Sequence, residues 1–362
     1  MHGIIYALTT LFIFIISFSV IYWSMPKIIK RLVGSKRVAK DMYKNGLPHI
    51  PTEGGIALLF VCFLMVSIFP LLFQIFNRIF DIYIDISGIT EVRPKFEVIN
   101  YFAIMVISTY GIMGIMDDYI NIGRKLKVLM PPLFAIPLIL NIDPNYLIIP
   151  FYGRYDISSD IYLGSILIKQ SWFYRYLVIP LYILVVTNLI NMHSGFNGLQ
   201  TGMSAIILVG LVIKAFINSE IGISFSIVAV AGGTLAIWFY NKYPARIFEG
   251  NSGSMVIGSS IGVMIILTGF LISGFVMLIP HTVNFLLYVY WRIKHAREPY
   301  NLKYRIEKFG RTKQDGTLSV PNPFTLKWII PYYRPVNEWT ATKYMYALTG
   351  VFVIIGILLP FP

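Results

Sequence analysis

The chain has 362 residues, of which 56% are hydrophobic and only 13% charged, with a mean hydropathy of +0.69. Soluble domains run nearer half apolar and a quarter charged, so this surplus cannot all fold inward, and a soluble globular enzyme is all but excluded. Thirty Lys and Arg against 17 Asp and Glu leave a formal charge of +13, which fits either a nucleic-acid partner or the basic face of a membrane protein.

Charge-free windows occupy residues 1–26, 54–77, 98–116, 128–142, 176–213, 221–241, 250–291 and 344–362. The first has no basic n-region and no small-residue cleavage site, so it reads as a first transmembrane helix and not a cleaved signal peptide. A spanning helix needs about 20 apolar residues. The two longest windows therefore hold two helices each, dividing at the polar run 191–202 and near 269–274. Window 128–142 is short and carries Pro131, Pro132 and Pro137, as in a short or kinked helix shielded by its neighbours. The expected fold is an all-α polytopic membrane protein, a single domain over residues 1–362 with about ten transmembrane helices. Cys62, the single cysteine, allows neither an intrachain disulfide nor a Cys-based zinc site.

Ten helices sort the loops into two sets. Loops 24–53, 117–127, 193–201, 242–253 and 292–340 hold 22 Lys and Arg; loops 77–97, 143–175 and 214–220 hold 7; Lys343 opens the last helix on the first side. Acidic residues divide 9 and 8, so the sides carry +14 and −1. Positive charge marks the cytoplasmic side, which puts both termini outside. The surplus charge is thus topological and gives no reason for a nucleic-acid partner. Segment 145–168, with alternating Tyr and Ile around Gly153 and Gly164, fits a small external β-hairpin.

The polar motifs fall on the cytoplasmic side in chain order. The first runs from Lys40 and Asp41 to Thr52 and Glu53, ahead of Gly54-Gly55. The second is Asp117-Asp118 at a helix end, followed by Asn121, Arg124, Lys125 and Lys127. Adjacent carboxylates repel each other and attract a hard cation such as Mg²⁺, and one of the pair can serve as a base; the bland alternative is a solvated helix end. The third interrupts an apolar run with Asn188, Asn191, His193, Gly195, Asn197, Gly198 and Gly202. Amides at membrane depth need partners and Gly admits a ligand to the backbone, although a Gly-rich turn capped by Asn competes. The fourth, with Arg246, Glu249, Gly250, Asn251, Ser252, Gly253 and Ser254, opens a helix as either an anion-binding terminus or a simple cap. The fifth is the long loop 292–340 with ten basic residues, whose bland role is a solvated basic loop at anionic headgroups.

Together these blocks resemble, in order and over nearly the whole chain, the polyprenyl-phosphate N-acetylhexosamine-1-phosphate transferases (glycosyltransferase family 4). The fifth loop, with only His295 before Lys303-Tyr304-Arg305, resembles the eukaryotic and archaeal UDP-GlcNAc–dolichyl-phosphate branch more than the His-rich bacterial one. The resemblance implies transfer of GlcNAc-1-phosphate from UDP-GlcNAc to a polyprenyl or dolichyl phosphate in the lipid bilayer, with release of UMP. That reaction is the first step of lipid-linked oligosaccharide assembly for protein N-glycosylation. It implies Mg²⁺, with Mn²⁺ as an alternative, and an active site on the cytoplasmic face of the cell membrane, an archaeal plasma membrane being favoured over an ER membrane. A homodimer stays open.

By the same resemblance, Asp117, Asp118 and Lys127 are the catalytic candidates, Lys127 at the carrier phosphate. Asn191, Asn251 and Asp117 are implied as metal ligands. Asn197 is implied at the uracil, and Asp41, Thr52 and Glu53 in the nucleotide pocket. Lys40, Asn121, Asn188, Arg246 and Arg305 complete the substrate-binding set. One departure stands out: the family's Gly-Asp here reads Gly250-Asn251. Either Asn251 is a weaker ligand, or Glu249 or Asp117 takes its place. The rival reading is a transporter of a polar or anionic solute, since intramembrane polar groups also line substrate paths.

Overall fold

The computed structural model describes residues 2–75, 78, 100–123, 125–142, 146–163 and 166–361. Arg124, Gly164, residues 143–145 and most of loop 77–97 fall outside them.

Each apolar window becomes helix. In chain order these are α1 (His2–Gly34), α2 (Ile56–Ile75), α3 (Tyr101–Ile120), α4 (Leu126–Asn141), α5 (Gln170–Met192) and α6 (Leu199–Ile217). They continue with α7 (Phe225–Asn241), α8 (Gly250–Thr268), α9 (Leu271–Met277), α10 (Ile279–Arg297), α11 (Leu326–Tyr333) and α12 (Glu338–Leu358). The two long windows divide where the polar and glycine runs predicted, between α5 and α6 and between α8 and α9.

Among the described residues, α1, α2, α3, α5, α6, α8 and α12 are each long and apolar enough to cross a bilayer. The bent pair α9 and α10, meeting at 64°, makes an eighth if the two form one broken span. The expectation of ten rests further on α4 and α7, which are apolar but shorter. The prolines of α4 remove N–H donors and divide it into three short pieces. α7 has 17 residues, or ~26 Å at 1.5 Å per residue, a little less than the ~30 Å hydrocarbon core. Apolar side chains cover the outside of the bundle, among them Leu8, Phe63, Ile120 and Leu358, each more than half exposed.

The molecule is mostly helical, as expected, and among the described residues it adds four small antiparallel hairpins. They pair β1 (Val38–Lys40) with β2 (His49–Pro51), β3 (Tyr146–Ile149) with β4 (Gly153–Asp156), β5 (Asp160–Leu163) with β6 (Ile166–Lys169), and β7 (Arg311–Thr312) with β8 (Leu318–Ser319). The described residues of segment 145–168 thus form two successive hairpins where one was expected.

α8 is the central helix, with 83% of its apolar window buried. It packs on α3 and α5, and its glycines let the backbones close up. A Cβ on Gly258 would stand 2.7 Å from the Cα of Thr187 on α5. A second core sits at the polar end. Tyr43, Phe196, Trp291, Tyr304, Phe324 and Trp328 meet there, and Trp328 is 1% exposed. Loop 292–340 supplies Tyr304, Leu318, Phe324, Leu326 and Trp328 to that core, so it is a folded cap. The solvated-loop reading fails because its aromatic residues bury one another.

Candidate functional site

The site is built where the segment entering α8 crosses the turn that follows β2. The Phe248 N–H donates to the Pro51 carbonyl (2.8 Å), the Gly54 N–H to the Phe248 carbonyl (2.9 Å), and the Gly55 N–H to the Glu249 carbonyl (2.8 Å). Backbone pairing this close leaves no room for side chains, which is why two glycines stand there. Glu53 takes a left-handed conformation (φ 71°), and its carboxylate faces Arg37 at 3.4 Å. Burial pushes that carboxyl above the ordinary glutamate value, and Arg37 partly opposes the rise.

Asp117 and Asp118 end α3. Neighbours on a helix point about 100° apart, so the two carboxylates have different partners. Asp118 accepts the backbone N–H groups of Asn251 and Ser252, both at 3.2 Å, and so caps the exposed donors at the head of α8. Asp117 is buried; its Oδ2 accepts from the Asn251 side-chain amide (2.9 Å) and its Oδ1 pairs with the Lys127 ammonium (2.7 Å). Asn251 therefore ties both aspartates to α8, one through its backbone and the other through its side chain. Asn121 is the left-handed C-cap of α3 (φ 51°), with its N–H on the Asp117 carbonyl.

The Asn/Gly block turns between α5 and α6. Buried Asn197 donates its side-chain amide to Asp41 Oδ2 (3.1 Å) and accepts the Ala245 N–H (2.9 Å), and its own N–H donates to Glu338 Oε1 (2.6 Å). Lys44 sits between the two carboxylates, 3.5 Å from Asp41 and hydrogen-bonded to Glu338. Lys327 donates to the Ser194 carbonyl beside Gly195, which has φ 113°. Burial pushes the Lys327 ammonium down to about 8.

Tyr43 joins this network to the cap: its hydroxyl accepts from the Gly310 N–H (3.2 Å) and Trp328 Nε1 (3.1 Å). Replacing Tyr43 by Phe leaves two buried donors unpaired, at a cost of about 1–3 kcal/mol. A lowered thermal unfolding midpoint of the purified protein is the expected result, and an unchanged midpoint would contradict it.

These elements enclose a polar cavity of about 330 Å³. Of the residues singled out in the sequence, Lys40, Asp41, Thr52, Asp118, Asn191 and Asn251 line it. Asp117 and Lys127 are joined to it through Asn251, and Asn197 through Asp41. Five others do not line it, the first being Glu53, whose carboxylate faces Arg37. The Asn188 amide bonds the Leu184 carbonyl of its own helix, Arg246 is exposed and lies over the Tyr240 ring, and Asn121 and Arg305 are exposed. The cavity adds Gln200, Asn241, Glu249 and the rings of Phe196, Phe248 and Phe309, none of which sequence motifs assigned to a pocket except Glu249. Burial pushes the Glu249 carboxyl up to about 7.

Among the described residues no three His, Cys, Asp or Glu form a metal-binding group. Two carboxylates and the amides of Asn191 and Asn251 make a set in which every donor is a hard oxygen. Both Asp117 and Asp118 already accept hydrogen bonds or an ion pair, so few protein ligands are left. That fits a hard divalent cation, which keeps water or takes substrate phosphate in its other positions.

The glycosyl transferase family 4 profile matches residues 100–269, the stretch from α3 to the end of α8. The UDP-N-acetylglucosamine–dolichyl-phosphate N-acetylglucosaminephosphotransferase of Saccharomyces cerevisiae is 25% identical, over 84% of this chain and 70% of its own. A Saccharolobus solfataricus protein provisionally given the same name is 26% identical over 95% of both chains. The phospho-N-acetylmuramoyl-pentapeptide-transferase of Bacillus subtilis is 28% identical over 49% of this chain and 54% of its own.

Proposed function

We propose that this chain is a member of glycosyl transferase family 4 and transfers N-acetylglucosamine 1-phosphate from UDP-N-acetylglucosamine to a polyprenyl phosphate of the dolichyl type, releasing UMP. The lipid product is the first intermediate in building the oligosaccharide for protein N-glycosylation. The observation that carries the reading is the convergence at the head of α8. Asp118 from α3, Asn191 from α5 and Asn251 from α8 meet at one polar cavity, with Asp117 held behind Asn251 and Lys40 on the rim.

In the reaction, an oxygen of the carrier phosphate attacks the β-phosphorus of the nucleotide sugar. The bond from that phosphorus to the bridging oxygen breaks, and the oxygen leaves with UMP. Two anions must approach, so the main task is to balance charge and hold the reactants in line. Lys127 draws the carrier phosphate toward Asp117. Asp117, buried and adjacent, accepts a proton from that phosphate or orients it. Asp118 holds α8 in place so that Asn251 faces the cavity. Asp41 and Asn197, fixed by Lys44 and Glu338, shape the end that receives the nucleoside. A bound Mg²⁺, or Mn²⁺, neutralises pyrophosphate charge, and Asp117, Asn191 and Asn251 are the residues that would hold it.

The same reading takes α4 and α7 as spans and α9 with α10 as one, giving ten helices with both termini extracytoplasmic. The cavity then opens to the cytoplasm, the hairpins between α4 and α5 lie outside, and the membrane is an archaeal cell membrane. Concentration of the Lys and Arg at the end that carries the cavity supports this orientation.

The test supplies purified protein with polyprenyl phosphate and labelled UDP-N-acetylglucosamine. The label is expected in an organic-extractable lipid, with UMP released in equal amount. Uptake of label into vesicles without such a lipid would overturn the assignment in favour of a transporter.

Replacing Asn251 by Asp probes the metal site. It sets a third carboxylate against Asp117 where an amide now donates. Activity is expected to need several-fold less divalent cation at the low end of a titration and to saturate normally, because an added carboxylate strengthens the hold on a hard cation. An unchanged cation dependence removes Asn251 from the site.

A further inference from the structure

A second cavity, of about 530 Å³, lies between α6, α7 and α12 and shares no lining residue with the polar one. Its walls are aliphatic and glycine, including Gly202, Gly210 and Gly350. Ile213 and Ile354 stand at its border, 45% and 58% exposed, so it opens sideways. It follows α12 from Tyr346 to Ile357, which is ~16 Å at 1.5 Å per residue, close to one leaflet of a ~30 Å hydrocarbon core.

One end differs from the rest. The Trp238 indole donates to the Tyr346 hydroxyl (2.9 Å), which in turn donates to the Gly198 carbonyl (2.6 Å). The Trp339 and Tyr243 rings extend this aromatic cluster. Lys242 lies over the Trp238 ring (5.0 Å) and Lys343 over the Trp339 ring (5.9 Å). Among the described residues, neither lysine forms an ion pair with a carboxylate. A leaflet-deep apolar slot ending in aromatic rings and two free ammonium groups matches an amphiphile of one charge type: a hydrocarbon chain with an anionic head.

We propose that the α6–α7–α12 cavity binds one anionic membrane lipid, its chain in the slot and its phosphate at Lys242 and Lys343. This lipid is distinct from the carrier substrate and stays with the protein through turnover. Because Tyr346 both walls the slot and bonds Gly198, next to Asn197, an occupied slot steadies the Asn/Gly turn.

Gly350 supplies a clean probe, since a Cβ there meets nothing within 4 Å. Its replacement by Phe fills the slot without displacing the fold. The experiment delipidates the full chain in detergent and adds phosphatidylglycerol or phosphatidylcholine. Retained lipid is counted by native mass spectrometry, and the unfolding midpoint serves as the folding check. The wild type is expected to keep one phosphatidylglycerol per chain, at least ten-fold in preference to phosphatidylcholine. Gly350→Phe should keep neither, and Lys242→Ala with Lys343→Ala should lose the preference. Lys343 is exposed and Lys242 half-buried, and neither forms an ion pair among the described residues, so that double variant stays informative if Gly350→Phe does not fold. Equal retention of the two lipids by the wild type overturns the proposal, as does retention unchanged in either variant. Displacement by inorganic phosphate alone, or by polyprenyl phosphate during turnover, also overturns it, as does a lipid-free slot closed by a second copy of the chain.

Discussion

Replacing Asp117 by Asn is expected to lower UMP release by about 10³-fold, within the range for loss of a positioned acid–base group. The same change should cost no more than about 1–3 kcal/mol of stability, the range for a disturbed buried hydrogen bond. The two aspartates are neighbours in sequence but do different work. Asp117 faces Lys127 and the Asn251 side chain, so its charge is presented to reactants. Asp118 is spent on two backbone donors of α8. Asp118→Ala should therefore lower the unfolding midpoint clearly as well as the rate, because the central helix loses its cap and a cap is worth about 0.5–2 kcal/mol. Lys127→Ala should resemble Asp117→Asn, with turnover lost and folding kept. Measuring UMP release and the midpoint on the three variants separates the roles. Wild-type turnover in Asp117→Asn would end the catalytic assignment, and a normal midpoint in Asp118→Ala would end the capping one.

Gly55→Ala is expected to have the largest effect on folding, at least about 3 kcal/mol, because overpacking against an immovable wall lies at the costly end of such changes. Gly55 has φ −65°, which any residue adopts, so the cost is one of contact alone. A Cβ there would fall 2.1 Å from both the N and the Cα of Gly253. Neither atom can turn away, and separating the chains would break the bonds that hold residues 248 and 249 to the turn 51–55. The polar cavity would open at its floor, so activity should disappear along with expression of folded protein. Gly34→Ala is the control, since nothing lies within 4 Å of the Cβ it would add. A Gly55→Ala protein with wild-type midpoint and rate would show that the two backbones are not in contact in solution.

Much of the frame was legible along the chain because it rests on local causes. An uncharged run of the right length becomes a helix, and α4 breaks at Met130 and Ala135, one and two residues before its prolines. The polar blocks announced themselves because amides, glycines and paired aspartates are expensive inside an apolar chain. The partners that hold the site were not legible. Glu338 lies 141 residues from Asn197 and 294 from Lys44, and its position at the start of the last helix looks like an ordinary helix-opening acid. Lys327 looked like one of ten basic residues in a loop. The folding of residues 292–340 onto Tyr43 and Phe196 buries it against the Asn/Gly turn.

The sequence by itself determined that this is a membrane protein with a surplus of positive charge, and which short blocks carry polar chemistry. Each of these follows from composition or from spacing within a few residues. Only the tertiary structure decided which aspartate caps and which faces Lys127, and why an asparagine stands at 251. It also separated the lining residues from Arg246, Arg305, Asn121 and Asn188, which lie elsewhere. The reason is geometric: a carboxylate's role depends on which donors reach its oxygens, and at Asp117 and Asp118 most of those donors come from α8, more than 130 residues away.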